Sequence, residues 1–143
     1  LISYLMVLPS SYFIGYYFGN LAPLYDLNWF YSPYFIVGIL LFLTGAYINH
    51  QSDTILINLR KEDEKDYKIP FGGLFKYVSS PNHLGEIIEW IGFAILTCSL
   101  PAYAFALWTI SNLLPRAIQH HNWYNKQFQD YPKERKALIP FLL

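Results

Sequence analysis

Three long apolar runs, at about residues 1–18, 33–59 and 87–114, dominate this chain. Each approaches or exceeds the ~20 residues a helix needs to cross a ~30 Å hydrocarbon layer. An ordinary soluble domain of 143 residues does not carry so much apolar sequence. The composition agrees, with 54% hydrophobic and 20% aromatic residues against 14% charged. The chain reads as all-α: a polytopic transmembrane helix bundle. Its one cysteine, Cys98, falls in an apolar run, so there is neither a disulfide framework nor a thiol zinc site, and its expected role is packing. The first run starts at Leu1 with no basic segment before it and no small-residue cleavage site after it. It is therefore not read as a signal peptide, and the chain is expected to begin inside a longer protein. No internal repeat interrupts the sequence, which predicts one membrane domain over 1–143.

The third run, broken by Pro101, is either one long span or a hairpin turning at "CSLPAY". Charge decides between them. All ten Lys and Arg residues lie in two segments, Arg60 to Lys76 and Arg116 to Lys136, and the connection "GNLAPLYDLNWFYSP" has none. A hairpin gives four spans and puts both basic segments on one side, which the positive-inside tendency makes cytoplasmic. The first arm, from about Gly85 to Ser99, is then only ~22 Å long, while the second reaches from Pro101 to about Lys126 and projects into the cytosol. Within the basic loop, "RKEDEKD" reads as a solvated helix end. "IPFGGLF" combines a proline, paired glycines and aromatics, and predicts a specific backbone turn at the interface.

Polar residues enter the apolar runs in three stripes. At about 100° per residue, Asn82, Glu86, Glu89 and Trp90 share one helix face. Asn112, Arg116, Gln119, His120 and Trp123 form a second stripe on the last helix. Asn49, Asp53 and Arg60 form a third, with His50 beside them. All three lie at the cytoplasmic ends of their helices, so they can converge on one cavity, and ionisable residues inside a membrane usually face such a cavity. The competing reading is structural: Glu86 and Glu89 pair with Arg116 or His120 and hold helices together.

Arg60, Lys68, Arg116 and Arg135, with Asp53 and asparagines nearby, suit a ligand carrying phosphates and hydroxyls, since guanidinium groups bind phosphate in a two-point fork and a carboxylate accepts from ribose hydroxyls. That is the chemistry of a nucleotide. No G-x-G-x-x-G or G-x-x-x-x-G-K-[ST] is present, so the nucleotide would be held by helices rather than by a Rossmann or P-loop turn. Four histidines, His50, His83, His120 and His121, lie near the same surface, but no H-E-x-x-H or clustered H-x-x-x-H accompanies them, and no metal is expected.

At "IPFGGLFKYVSSPNHLGEIIEW" and "RAIQHHNWYNKQFQDYPKERKALIPFLL" the sequence closely resembles the C-terminal half of the steroid 5-alpha-reductase family. The resemblance is strong over 49–143, while 1–48 match in hydropathy only. It implies about four spans of a seven-helix parent that holds NADPH and reduces a carbon–carbon double bond conjugated to a carbonyl, typically in 3-oxo-Δ4 steroids, by hydride transfer to the β-carbon. By position it implies cofactor contacts at Asn49, Asp53, Arg60, Lys68, Asn82, Glu86, Arg116, His120 and Tyr124, with Arg135 on the cytoplasmic rim. Lys68 stands where an arginine is usual, keeping the charge but losing the fork. Trp90 is implied as substrate wall, and Glu89 as either a neighbour of it or a purely structural group. The family's tyrosine and acid that bind the substrate carbonyl lie upstream of this chain, so the implied catalytic residues are absent here and N-terminal helices of the same protein would complete the site. The implied location is the endoplasmic reticulum membrane, or the inner membrane of a bacterium, with the basic loops cytoplasmic. Polyprenol and trans-2-enoyl-CoA reductases of the same superfamily are alternatives, as are an S-adenosylmethionine-dependent membrane methyltransferase and a non-catalytic membrane scaffold. The "GGLF" and "KALIPF" elements favour the reductases.

Overall fold

The computed structural model of the protein describes residues 2–23, 25–59 and 67–143, with side chains from Leu8 onward. Arg60 and the rest of the "RKEDEKD" run lie outside the described residues. Among the described residues there are four α-helices: α1 Ile2–Asn20, α2 Pro33–Leu59, α3 Pro81–Thr97 and α4 Leu100–Gln127. Among the described residues there is no β-strand. By length and composition, α2 is the one described helix long and apolar enough to cross a membrane.

Local chemistry sets the helix ends. Asp26 accepts from the Trp29 amide at 3.1 Å and opens a short 3-10 turn, Leu27–Tyr31. Ser32 then accepts from the Phe35 amide at 3.1 Å as α2 begins at Pro33. The third apolar run does break. Cys98 ends α3 in the left-handed conformation, with φ 47°, and Ser99 caps α4 by accepting from the Ala102 amide at 3.3 Å, one residue past Pro101. Cys98 is therefore not the packing residue its apolar surroundings predict. It is an exposed helix terminus whose thiol donates to the Ile95 carbonyl at 3.3 Å.

The helices pack in two ways. α3 and α4 bury apolar side chains against each other, with Ile87, Leu113 and Ala117 joined by Leu138 of the tail in one cluster and Ala94, Ala102 and Ala106 in another. α2 and α3 instead meet backbone to backbone. A Cβ on Gly45 would come within 2.6 Å of the Gly85 carbonyl oxygen, one on Gly85 within 2.5 Å of the Asn49 nitrogen, and one on Gly92 within 2.9 Å of the Gly38 oxygen. Gly38 faces Leu96 in the same manner. The four glycines, spaced by seven on each helix, thus form an antiparallel seam in which every close approach needs the missing side chain.

The stretch after α2 makes the turn that "IPFGGLF" predicts. Gly72 and Gly73 take φ 104° and 50°, conformations that disfavour a side chain, and lead into the 3-10 turn Gly73–Lys76. Residues 77–80 then pair with the tail. Lys136 donates to the Tyr77 carbonyl at 2.9 Å, and the Ser79 and Ser80 amides donate to the carbonyls of Lys136 and Ala137 at 2.8 and 3.2 Å. This bridge closes the tail over one end of the α3–α4 pair.

Candidate functional site

Polar residues from α2, α3 and α4 meet at the end of the bundle that the tail covers. The rings of His83 on α3 and His120 on α4 stack at 5.6 Å and 27°. The charged groups acting on His83 include Arg116 and Asp53, and those acting on Glu86 are Glu89, Asp53 and Arg116. Asp53, His83, Glu86, Arg116 and His120 therefore share one electrostatic neighbourhood, as the three stripes predict. The glycine seam lays the Asn49 backbone against Gly85, and the Asn49 side chain hydrogen-bonds Glu89 one turn further along α3. Asn82 is half-buried in the first turn of α3.

Arg135 departs from its expected place on the rim. It is only 3% exposed, with its guanidinium carbon 4.8 Å from the Phe71 ring centroid and 5.2 Å from that of Tyr131. Tyr131 in turn stacks almost parallel on Tyr124, at 5.2 Å and 11°. Two aromatic faces hold the cation, but Nε and Nη1 have no hydrogen-bond partner among the described residues. Removing a cation from water costs several kcal/mol or more, and ring faces return on the order of 1–2. Donors left bare in such a place are a fit for an anionic ligand. The buried Nδ1 of His83 and Oγ of Ser80, at the start of α3, are likewise without hydrogen-bond partners among the described residues.

A second network pins the tail. Ser79, buried, lies 2.7 Å from His121 Nδ1 and 2.7 Å from the Tyr131 hydroxyl, and donates to the Lys136 carbonyl at 3.1 Å. His121 belongs to the part of α4 beyond Leu114, where the apolar run ends. Burial of its ring, and then the nearby Lys136 ammonium, hold its pKa below the ordinary imidazole value.

Other predicted residues take varied places. Lys68 is exposed on the segment between two anchors: Tyr67, whose ring meets Trp123 of α4 at 5.0 Å, and Phe71 over Arg135. Trp90 is half-buried in the α3–α4 packing, edge-on to Phe105 at 4.3 Å and to Phe93 at 5.7 Å. Glu89 sits where α3 touches Gly45 of α2. An apolar groove of about 390 Å³, lined by Phe13 of α1 and by Leu100, Ala104, Phe105 and Trp108 of α4, lies at the opposite end of α4 from Arg116 and His120. Sequence reasoning placed no role on Ser79, Ser80 or Tyr131, and weighed His83 and His121 only as metal ligands. The available signal was their position inside "VSSPNH" and "HHNWY…DYPKER", the same stretches that hold Asn82, His120 and Arg135.

Fold and site together define an α-helical protein that gathers cations, carboxylates and amides from three helices under a tail, with a guanidinium enclosed by two aromatic rings. The chain belongs to the family described as 3-oxo-5-alpha-steroid 4-dehydrogenase, which it matches over residues 2–143. It is 56% identical over 119 residues to 3-oxo-5-alpha-steroid 4-dehydrogenase 1 of Rattus norvegicus, covering 83% of this chain and 46% of the relative. To enzyme 1 of Mus musculus it is 49% identical over 142 residues, 99% of this chain and 55% of the relative. To enzyme 2 of Homo sapiens it is 54% identical over 128 residues, 90% and 50% respectively. The chain thus spans about half the length of the relatives it matches.

Proposed function

We propose that this chain is the cofactor-binding half of a membrane enzyme that reduces, with NADPH, a carbon–carbon double bond conjugated to a carbonyl, its substrate a 3-oxo-Δ4 steroid. The observation that carries the reading is Arg135, buried on the tail between Phe71 and Tyr131 with two donor nitrogens unpartnered among the described residues. In this reading Arg60, Lys68, Arg116 and Arg135 meet the cofactor's phosphates. Asn49, Asp53, Asn82 and Glu86 meet its hydroxyl and amide groups, and His120 and Tyr124 line its bed. Family membership supplies the substrate class, through the steroid in the relatives' names.

When bound, NADPH supplies the hydride that the β-carbon of the enone accepts. The chain's own residues hold the cofactor and exclude water, and Trp90, with Glu89 beside it, bounds the substrate. The groups that donate to the substrate carbonyl come from helices preceding this chain in the longer relatives. The whole is a single membrane domain with four spans from this chain in a seven-helix parent, located in the endoplasmic reticulum membrane with both basic segments cytoplasmic. The exposed apolar side chains of α1 and α2, among them Tyr12, Phe13, Leu40, Leu43 and Ile57, support a lipid-facing or helix-facing surface there. Full-length protein in detergent, supplied with NADPH and a 3-oxo-Δ4 steroid, is expected to oxidise NADPH and yield the 5-alpha-reduced product. Steroid-independent oxidation, or none, would overturn the assignment.

A further inference from the structure

One arrangement of protons satisfies all the hydrogen bonds around Ser79 together. Asn125 Nδ2 lies 3.0 Å from the His121 carbonyl, an acceptor only, which fixes the amide with its nitrogen toward the histidine. The same nitrogen lies 3.0 Å from His121 Nε2, so Nε2 accepts and the ring proton is on Nδ1. Nδ1 then donates to Ser79 Oγ. In this arrangement the single proton of Ser79 goes to the Lys136 carbonyl at 3.1 Å, and the Tyr131 hydroxyl also donates to Oγ. Ser79 is thereby saturated, with one bond given and two received. It holds both supports of Arg135: the adjoining backbone at Lys136, and the Tyr131 ring over which the guanidinium lies.

We propose that His121 is a positioning residue, and that in its neutral form with the proton on Nδ1 it fixes, through Ser79 and Tyr131, the pose in which Arg135 receives an anionic group of the cofactor. The inference rests on the cofactor reading above. Without the Nδ1 donor, Oγ has an empty acceptor site in a place closed to water, and Ser79 and Tyr131 are free to turn toward other partners. The guanidinium then loses a fixed face rather than its charge. The consequence falls on cofactor affinity and not on the chemical step.

Asparagine places its side-chain nitrogen where Nδ1 stands, whereas glutamine reaches the place of Nε2 and is closer to histidine in volume. In full-length protein, His121→Asn is expected to bind NADPH within about threefold of the parent, and His121→Gln about tenfold more weakly. Turnover at saturating cofactor should stay within about twofold in both. Ser79→Ala should match His121→Gln, and the double variant should be no weaker than either single one. It also stands in should His121→Gln not fold. Nitrogen-15 NMR of the labelled imidazole in the apo protein should show Nε2 bare. Asn and Gln variants of equal affinity, a Gln variant as tight as the parent, or a proton on Nε2 would each overturn the proposal. A parent that binds no NADPH overturns the cofactor reading and this proposal with it; a parent that binds, with variants that do not separate, overturns this proposal alone.

Discussion

Gly45 of α2 lies directly against the backbone of Glu89 on α3, close enough that any Cβ would strike the Glu89 amide nitrogen. The contact has a functional consequence. It sets the register in which Asn49 lies against Gly85 and bonds Glu89, and brings Asp53 of α2 into the field of Glu86 on α3.

Alanine at Gly45 or Gly85 should therefore separate the two helices and disturb the polar cluster together. Over-packing typically costs about 1–3 kcal/mol, and backbone offers less room to give than a side chain does. Both variants should melt well below the parent in detergent. Gly15→Ala is the control, since nothing lies within 4 Å of its Cβ position and helix propensity favours alanine by about 1 kcal/mol. Equal melting of Gly45→Ala and Gly15→Ala would show that the seam is not as tight as described.

Much of this was legible in the sequence, and what was not has a physical cause. The break at "CSLPAY" followed from the sidedness of the Lys and Arg residues, and the turn at "IPFGGLF" from proline and glycine chemistry. The convergence of Asp53, Glu86 and Arg116 followed from helical periodicity and charge sidedness. The glycine seam left no such trace, because a residue without a side chain contributes little to an apolar stripe and its partner helix is not encoded locally. Cys98 was misplaced for a related reason: the apolar residues around it belong to two helices rather than one. The resemblance implies Arg135 on the rim, and its enclosure depends on Phe71, far off in the chain. The link from Ser79 to His121 and Tyr131 likewise joins residues 42 and 52 positions apart.

The sidedness of the chain is open to labelling. Exposed positions Lys76 and Lys133, changed to cysteine in a Cys98→Ser background, should react from the cytoplasmic face, and Asp26→Cys from the opposite one. Reaction of Lys76→Cys and Lys133→Cys from different sides would eliminate the four-span arrangement.

Glu86 separates a cofactor site from structural glue. Glu86→Gln keeps the size of the side chain, so the apo protein should melt as the parent does. The stabilisation added by saturating NADPH should shrink, as should steroid-dependent turnover, because a ligand raises stability only through its affinity for the native state. A lower apo melting temperature with an undiminished NADPH effect would make Glu86 structural.

His121 gives the tail a pH dependence of known sign. Its folded pKa lies below the ordinary histidine value of about 6.5, so the unfolded chain binds the proton more readily. The contribution of neutral His121 is fully present above that value and is lost as pH falls below it. The melting temperature of the parent should therefore fall more than that of His121→Asn between pH 7.5 and 5.5. Parallel curves for the two proteins would refute the linkage.

The most direct test of the cofactor site is the affinity of full-length protein for NADPH, parent against Arg135→Lys, measured by fluorescence quenching. Lysine keeps the charge but loses the planar fork and its stacking between Phe71 and Tyr131. The parent should bind, and the variant should bind about tenfold or more weakly, a loss of roughly 1.5–3 kcal/mol, with the apo melting temperature little changed. Undiminished NADPH affinity in Arg135→Lys, or a parent that does not bind NADPH, would contradict the account.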